Sequence, residues 1–415
     1  MLKLKSFISL LIFVMMLGCN KKSITAADIL GNPNYLAISY GGYRHDTRDI
    51  QPTIAELKDD MKLLSAMGIK LLRTYNVQLQ QASNLLKAIK QLKEENSNFE
   101  MYVMLGAWID CQNAWTDKTP NHDIESEQNA GEIARAVALA KQYPDIVKII
   151  AVGNEAMVHW ATNYFVQPKV ILKWVNHLQD LKNQGDLPKD LWITSSDDFS
   201  SWGGGDPTYH TPDLEKLIKA VDYISMHTYP MHNTYYNPEF WLIPNGKEHT
   251  PKEEQVKAAM YRALEFAKMQ YDSVFNYVKS LGINKPIHIG ETGWATTSNG
   301  HYGKNLSRAA DEYKSGLYYK LMREWTNTSG ISCFYFEAFD EPWKDAKNPN
   351  GSENHFGLIN LNGQAKYAIW DLVDKGIFNG LTRDGQPITK TYNGRFNDLI
   401  KTVEAPPKVS EMWTH

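Results

Sequence analysis

Eight apolar stretches rich in β-branched and aromatic residues recur along this chain with helix-like segments between them, an alternation that predicts a parallel sheet wrapped by helices. They are LAISYGGY from Leu36, IKLLRTYN from Ile69, EMYVMLGAW from Glu100, VKIIAVGNE from Val147, LWITSSDD from Leu191, VDYISMHTYP from Val221, PIHIGETGW from Pro286 and SCFYFEAFDEPW from Ser332. In the segment from Ile54, Leu57, Met61 and Leu64 share one helical face and Gly68 stops the helix. Similar helices are expected from Ala130, Pro168 and Ala309. Eight such repeats favour a closed (β/α)8 barrel over a doubly wound sheet.

The ends of the chain read differently. A lysine-bearing start, an apolar run from Phe7 to Leu17, then Gly18 and Cys19 have the layout of a secretory signal, with Cys19 where a bacterial lipoprotein is cut and lipidated. The expected organisation is a signal over 1–19, a tether over 20–30, the barrel over 31–378, and an extension over 379–415 that is either packed on the barrel or free. The expected location is a cell surface or periplasm-facing membrane, reached through the lipid alone. Only Cys111 and Cys333 remain beyond Cys19; placed at opposite barrel ends, they should stay unpaired.

A formal net charge of -3 argues against nucleic acid or an acidic polymer as partner. The chain has 12 Trp and 22 Tyr, enough both for a core and for stacking on flat sugar faces. In a barrel of this kind the site is built where strands end at their carboxyl side. That places Tyr40, Arg73, Trp108, Glu155, Asp197, Tyr229, Glu291 and Glu337 at or near it. The long loops after the fifth and sixth strands, rich in Trp, Tyr and Asn, are expected to wall the cleft.

Glu155 and Glu291 close the fourth and seventh strands and should face each other across the barrel mouth. One Glu at a strand end is usually solvated or ion-paired, whereas two at opposed ends beside Asn154 and Trp294 suit glycosidic cleavage. That reaction needs one carboxyl to protonate the leaving oxygen and another to meet the charge developing at the anomeric carbon; retention requires them about 5 Å apart. The acid must be held protonated by burial and by its negative neighbour, and the nucleophile held ionised by donors. Arg73 and Tyr229 are the candidate donors, and Asn154 can bind a sugar hydroxyl. Tyr75 is assigned to the substrate site with them. Glu337, Asp340, Glu341 and Lys344 cannot all face one way, so they divide between hydroxyl binding and internal ion pairs. The His227 and His232 spacing does not suit a helical zinc motif, and no metal or cofactor is expected. His227 is expected to orient a carboxylate or a sugar, and Asp197 and Asp198 to cap the next helix.

The elements VGNE, GETGW and FDEPWK, in that order at strand ends, resemble glycoside hydrolase family 17, the β-1,3-glucanases and related transglycosylases, from about Tyr35 to Trp370. The resemblance implies retention, no metal and a β-1,3-glucan substrate such as laminarin. It makes Glu155 the acid/base and Glu291 the nucleophile, with Arg73, Asn154, Tyr229 and Trp294 around the cleaved bond. Ala295 after ETGW and the FEAFDEPWK stretch look like the microbial branch. The expectation is therefore an endo-acting, monomeric β-1,3-glucan hydrolase. Three rivals stand beside it: a glucosyltransferase using the same carboxylates, a glycan-binding surface lipoprotein without activity, and a β-1,4 or β-1,6 glycanase on the same kind of barrel.

Overall fold

All eight expected strands form: β1 Leu36–Ser39, β2 Ile69–Arg73, β3 Tyr102–Ala107, β4 Val147–Asn154, β5 Trp192–Asp198, β6 Ile224–His227, β7 Ile287–Gly293 and β8 Cys333–Phe336. The computed structural model describes residues 24–413. The expected signal over 1–19, the lipidation position Cys19 and the first part of the tether lie outside the described residues. The strands pair in parallel in the order β1-β8-β7-β6-β5-β4-β3-β2, and β8 closes on β1 through Tyr335 and Ile38, so the sheet is a barrel.

Alternation along each strand separates two cores. Ala37, Leu71, Met104, Ile149 and Ala151 point into the barrel, while Ile38, Leu72, Leu105, Ile150 and Val152 pack outward against the helices. The helix Ile54–Ala66 illustrates the outer layer. Thr53 caps it, accepting from the Glu56 N–H at 3.2 Å while the Glu56 carboxylate accepts from the Thr53 N–H at 2.7 Å. Leu57, Met61 and Leu64 are wholly buried, and Gly68, at φ +79, turns the chain out of the helix.

The tether expectation is corrected at its end. Residues 26–29 form a capped helical turn whose Ala26 and Ile29, with Leu30, join the core inside the barrel. They are apolar because they plug its N-terminal end. The extension beyond 378 is packed through its described residues: Arg383 pairs with the wholly buried Asp60 at 3.1 Å, Ile243 donates to the Pro407 carbonyl at 2.8 Å, and Trp413 stacks on Tyr235 at 5.5 Å. Cys111 and Cys333 are both free and buried. Among the described residues, no helix is long and apolar enough to cross a membrane.

Candidate active site

Parity along the strands brings the polar side chains to one end of the barrel. Leu71 points inward and Leu72 outward, so Arg73, two residues past Leu71, points inward again at the mouth. On β7, Gly290 lets the strand pass close to its neighbour: a Cβ there would lie 2.1 Å from the Ser225 hydroxyl and 2.6 Å from that of Ser196. Its carbonyl accepts from Arg73 at 3.1 Å, and the next residue is Glu291. Glu155 leaves β4 at φ +47, an uncommon conformation for a side chain of its size, held by its N–H on the Ser196 carbonyl at 3.0 Å.

The two carboxyls meet here. Carboxylate oxygens of Glu155 and Glu291 and a ring nitrogen of His227 lie within 4.8 Å of one another. That separation suits a carboxylate pair spanning one glycosidic bond with covalent attack, and is shorter than the gap left for a water in inverting enzymes. These are also the only described residues grouped closely enough to hold a metal ion. The donor set does not fit one, because the Arg73 guanidinium already sits against Glu291 and opposes a second cation.

The environments of the two carboxyls differ in sign. Burial would push Glu291 up, but Arg73 and the hydroxyls of Tyr229, at 2.6 Å, and Tyr75, at 2.9 Å, outweigh it and hold the carboxyl down to about 2. Burial and the negative charge of Glu291 push Glu155 well above its ordinary value. His227 lies between Glu155, at 3.0 Å, and the Ser196 hydroxyl, at 2.8 Å; burial lowers it to about 4, so near neutral pH the ring is uncharged. Asn154 accepts from Arg73, which joins both strand ends through one guanidinium.

A cleft of about 840 Å³ opens over the pair, lined by Trp160, Tyr229, His232, Tyr236, Phe336 and Glu353 among others. Arg73, Tyr75, Asn154, His227 and Tyr229 are thus gathered around the carboxyls. Lys344 bonds Glu337 at 2.6 Å and lies over the Phe336 ring, and Glu337 Oε1 is buried without a hydrogen-bond partner among the described residues. Trp108 lies at the end of β3 beside Tyr164 and Trp115, outside the cleft.

Three expected substrate contacts are corrected. Tyr40 shares the outward parity of Ile38, is wholly buried and donates to Asp60 at 2.9 Å. Trp294 turns outward past the end of β7, where it is buried against Trp241 and Tyr318 and spends its N–H on the Ala309 carbonyl at 2.8 Å. Glu341 is buried and accepts from the Tyr43 N–H at 3.1 Å and the Trp343 indole at 2.8 Å, so it closes a loop. The ion pair expected as the alternative applies to Asp340, which meets Lys366 at 2.7 Å. Asp197 accepts from the Met157 N–H at 2.7 Å and secures the loop after Glu155 instead of capping a helix, while Asp198 does accept from the Ser200 N–H at 2.8 Å at the start of a helical turn. Trp202 and Trp241, from the loops expected to wall the cleft, are core residues. Trp160, His232 and Glu353 were missed: only His232 lies in a loop expected to wall the cleft, while Trp160 follows β4 and Glu353 follows β8, whose loops carried no such expectation.

Residues 37–357 match the family model of the BtgE/BtgC glycoside hydrolase domain. The crystal structure of an endo-laminarinase from Formosa Hel1_33_131 superposes with a TM-score of 0.93 and is 65% identical, covering 94% of this chain and 100% of that one. A glucan 1,3-beta-glucosidase of Arthroderma benhamiae is 26% identical over 332 residues, 75% of this chain and 83% of the relative. An active-site mutant of a Rhizomucor miehei beta-1,3-glucanosyltransferase, in complex with laminaritriose, is 21% identical with a TM-score of 0.54, covering 79% of this chain and 93% of that one, a likeness of fold alone.

Proposed function

The chain belongs to the BtgE/BtgC glycoside hydrolase domain family, and from that premise we propose that it is an endo-acting β-1,3-glucan hydrolase working with retention, Glu155 as acid/base and Glu291 as nucleophile. The observation that carries the reading is the carboxyl pair, close together and held in opposite protonation states. Ionised Glu291 attacks the anomeric carbon while protonated Glu155 gives its proton to the departing glycosidic oxygen, leaving a covalent glycosyl intermediate. Glu155, now a carboxylate, takes a proton from an incoming water, which displaces Glu291 and restores both groups. Tyr75, Tyr229 and Arg73 keep Glu291 ionised in the free enzyme and receive its charge again when the intermediate breaks down. Asn154 and the Glu337–Lys344 pair are proposed to bind glucosyl hydroxyls. The similarity to an endo-laminarinase supports internal cleavage of laminarin-type chains.

The test is a product time course on laminarin for the wild type, Glu155→Ala and Glu291→Ala. Mixed oligosaccharides should appear early with the wild type and vanish in both variants. On an aryl β-laminari-oligosaccharide, whose leaving group departs without a proton, azide should restore turnover with β-glucosyl azide products in Glu155→Ala and with α-glucosyl azide products in Glu291→Ala. Products longer than the starting oligomers would shift the reading to a transferase; binding without any product would sink the enzyme assignment for this substrate. The signal-like start supports an exported lipoprotein acting at a membrane surface. Mass spectrometry of the mature chain should then find a lipidated Cys19 at its N-terminus; an unmodified chain retaining residues 1–18 would overturn that part.

A further inference from the structure

The cleft draws its lining from β4 to β8 and the loops that follow them, with no residue from β1, β2 or β3. On the β3 side of the mouth three aromatic side chains pack against one another, with Trp115 the exposed member. Trp108 follows β3, Trp115 sits in the turn of the hairpin Cys111–Gln112 and Asn121–Glu125, and Tyr164 lies in the loop after β4. The Trp115 and Tyr164 rings stack at 5.0 Å and 20°, and Trp108 lies 5.3 Å from Tyr164 and 6.5 Å from Trp115.

Trp115 is 62% exposed yet held at φ +63, where a bulky side chain is strained. The hairpin turn holds it there: Asn113 donates to the Thr119 carbonyl at 3.0 Å, and the Thr116 hydroxyl to the Asn113 carbonyl at 2.7 Å. The Cys111 N–H, on the Tyr164 carbonyl at 3.0 Å, ties the hairpin to the loop after β4. Asp110, between Trp108 and the hairpin, is held by the Asn129 side chain, which fixes its backbone on both sides, at 3.2 and 2.9 Å. Backbone strain, rigid support and exposure together describe a ring face maintained for contact. Its neighbours identify the contact: Tyr164 shares the loop after β4 with Trp160, which lines the cleft, so the same loop carries part of the cleft wall and part of the aromatic group.

We propose that Trp115, backed by Tyr164 and Trp108, forms a distal glucosyl subsite on the β3 side of the mouth that stacks on the apolar face of a sugar ring and makes the enzyme favour long chains. This rests on the β-glucan reading and adds a second binding arm to it. A chain held both in the cleft and on Trp115 is cut internally, and the Trp115 face adds binding that short oligomers cannot reach.

The test is kcat/KM for laminari-oligosaccharides of increasing length and for laminarin, in the wild type, Trp115→Ala and Trp115→Phe. Trp115→Ala should lose about fivefold on the polymer and the longest oligomers, with little change on the shortest one cleaved, and Trp115→Phe should keep most of the gain with length. Titration of Glu155→Gln with a long laminari-oligosaccharide should quench tryptophan fluorescence, and the added Trp115→Ala change should remove most of that quenching. A length profile in Trp115→Ala parallel to that of the active wild type, at an unchanged melting temperature, would overturn the subsite alone. A wild type inactive at every length would overturn the subsite together with the β-1,3-glucan reading beneath it.

Discussion

At the scale of residues, two glutamates of the same chemistry are driven apart by what surrounds them. Activity requires Glu155 protonated and Glu291 ionised, so it is lost as pH falls through about 2 and as it rises through the elevated value of Glu155. Tyr229→Phe removes one donor to the Glu291 carboxylate and should move the acid limb of kcat/KM up by roughly one unit, leaving the alkaline limb in place. An acid limb that stays put would show that the hydroxyl does not hold Glu291 ionised. Arg73, Tyr75, Asn154 and Tyr229 could be read from the sequence because each lies at a strand end with inward parity or just beyond it. Tyr40 was misplaced because it keeps the outward parity of Ile38, and Trp294 and Glu341 because alternation no longer binds residues past a strand end; all three became packing or loop contacts.

At the scale of elements, the site depends on how closely β7 passes β6. Gly290→Ala would drive a methyl into the Ser225 and Ser196 hydroxyls, displacing Glu291 from Arg73 and from His227, whose ring Ser196 holds. An activity loss of about tenfold or more is expected, read against the melting temperature, because small misplacements of a reacting group are costly. Full activity would mean that the strand can give way without moving the carboxylate. By contrast Thr53→Ala removes a cap far from the chemistry and should lower unfolding free energy by about 1 kcal/mol with kcat unchanged, as a urea titration and an assay on the same sample would show. Strands and helices were legible because their periodicities persist over whole segments. The hairpin after β3 was not: its strands span only Cys111–Gln112 and Asn121–Glu125, too short to show alternation.

At the scale of the whole molecule, the barrel is sealed at its N-terminal end by residues 26–30 and belted by the extension beyond 378. The belt has an ionic anchor. Asp60, wholly buried, receives Arg383, Arg44 and the Tyr40 hydroxyl, which also explains why a tyrosine so near the mouth faces away from it. Arg383→Met should cost about 2 kcal/mol or more in urea unfolding, with part of the loss absorbed by the remaining Arg44 pair. An unchanged midpoint would mean that the extension lies on the barrel without supporting it. The barrel was legible from eight repeats, but the packed extension was not, because its contacts join residues hundreds of positions apart and leave no local period. The proposed chemistry comes down to one bond, between Glu291 and a sugar. Trapping that intermediate with a 2-deoxy-2-fluoro laminari-oligosaccharide bearing a good leaving group, followed by peptide mass mapping, should place the label on Glu291 in the peptide holding IHIGETGW. A label on any other carboxylate, or steady release of α-configured product with no label at all, would contradict the account.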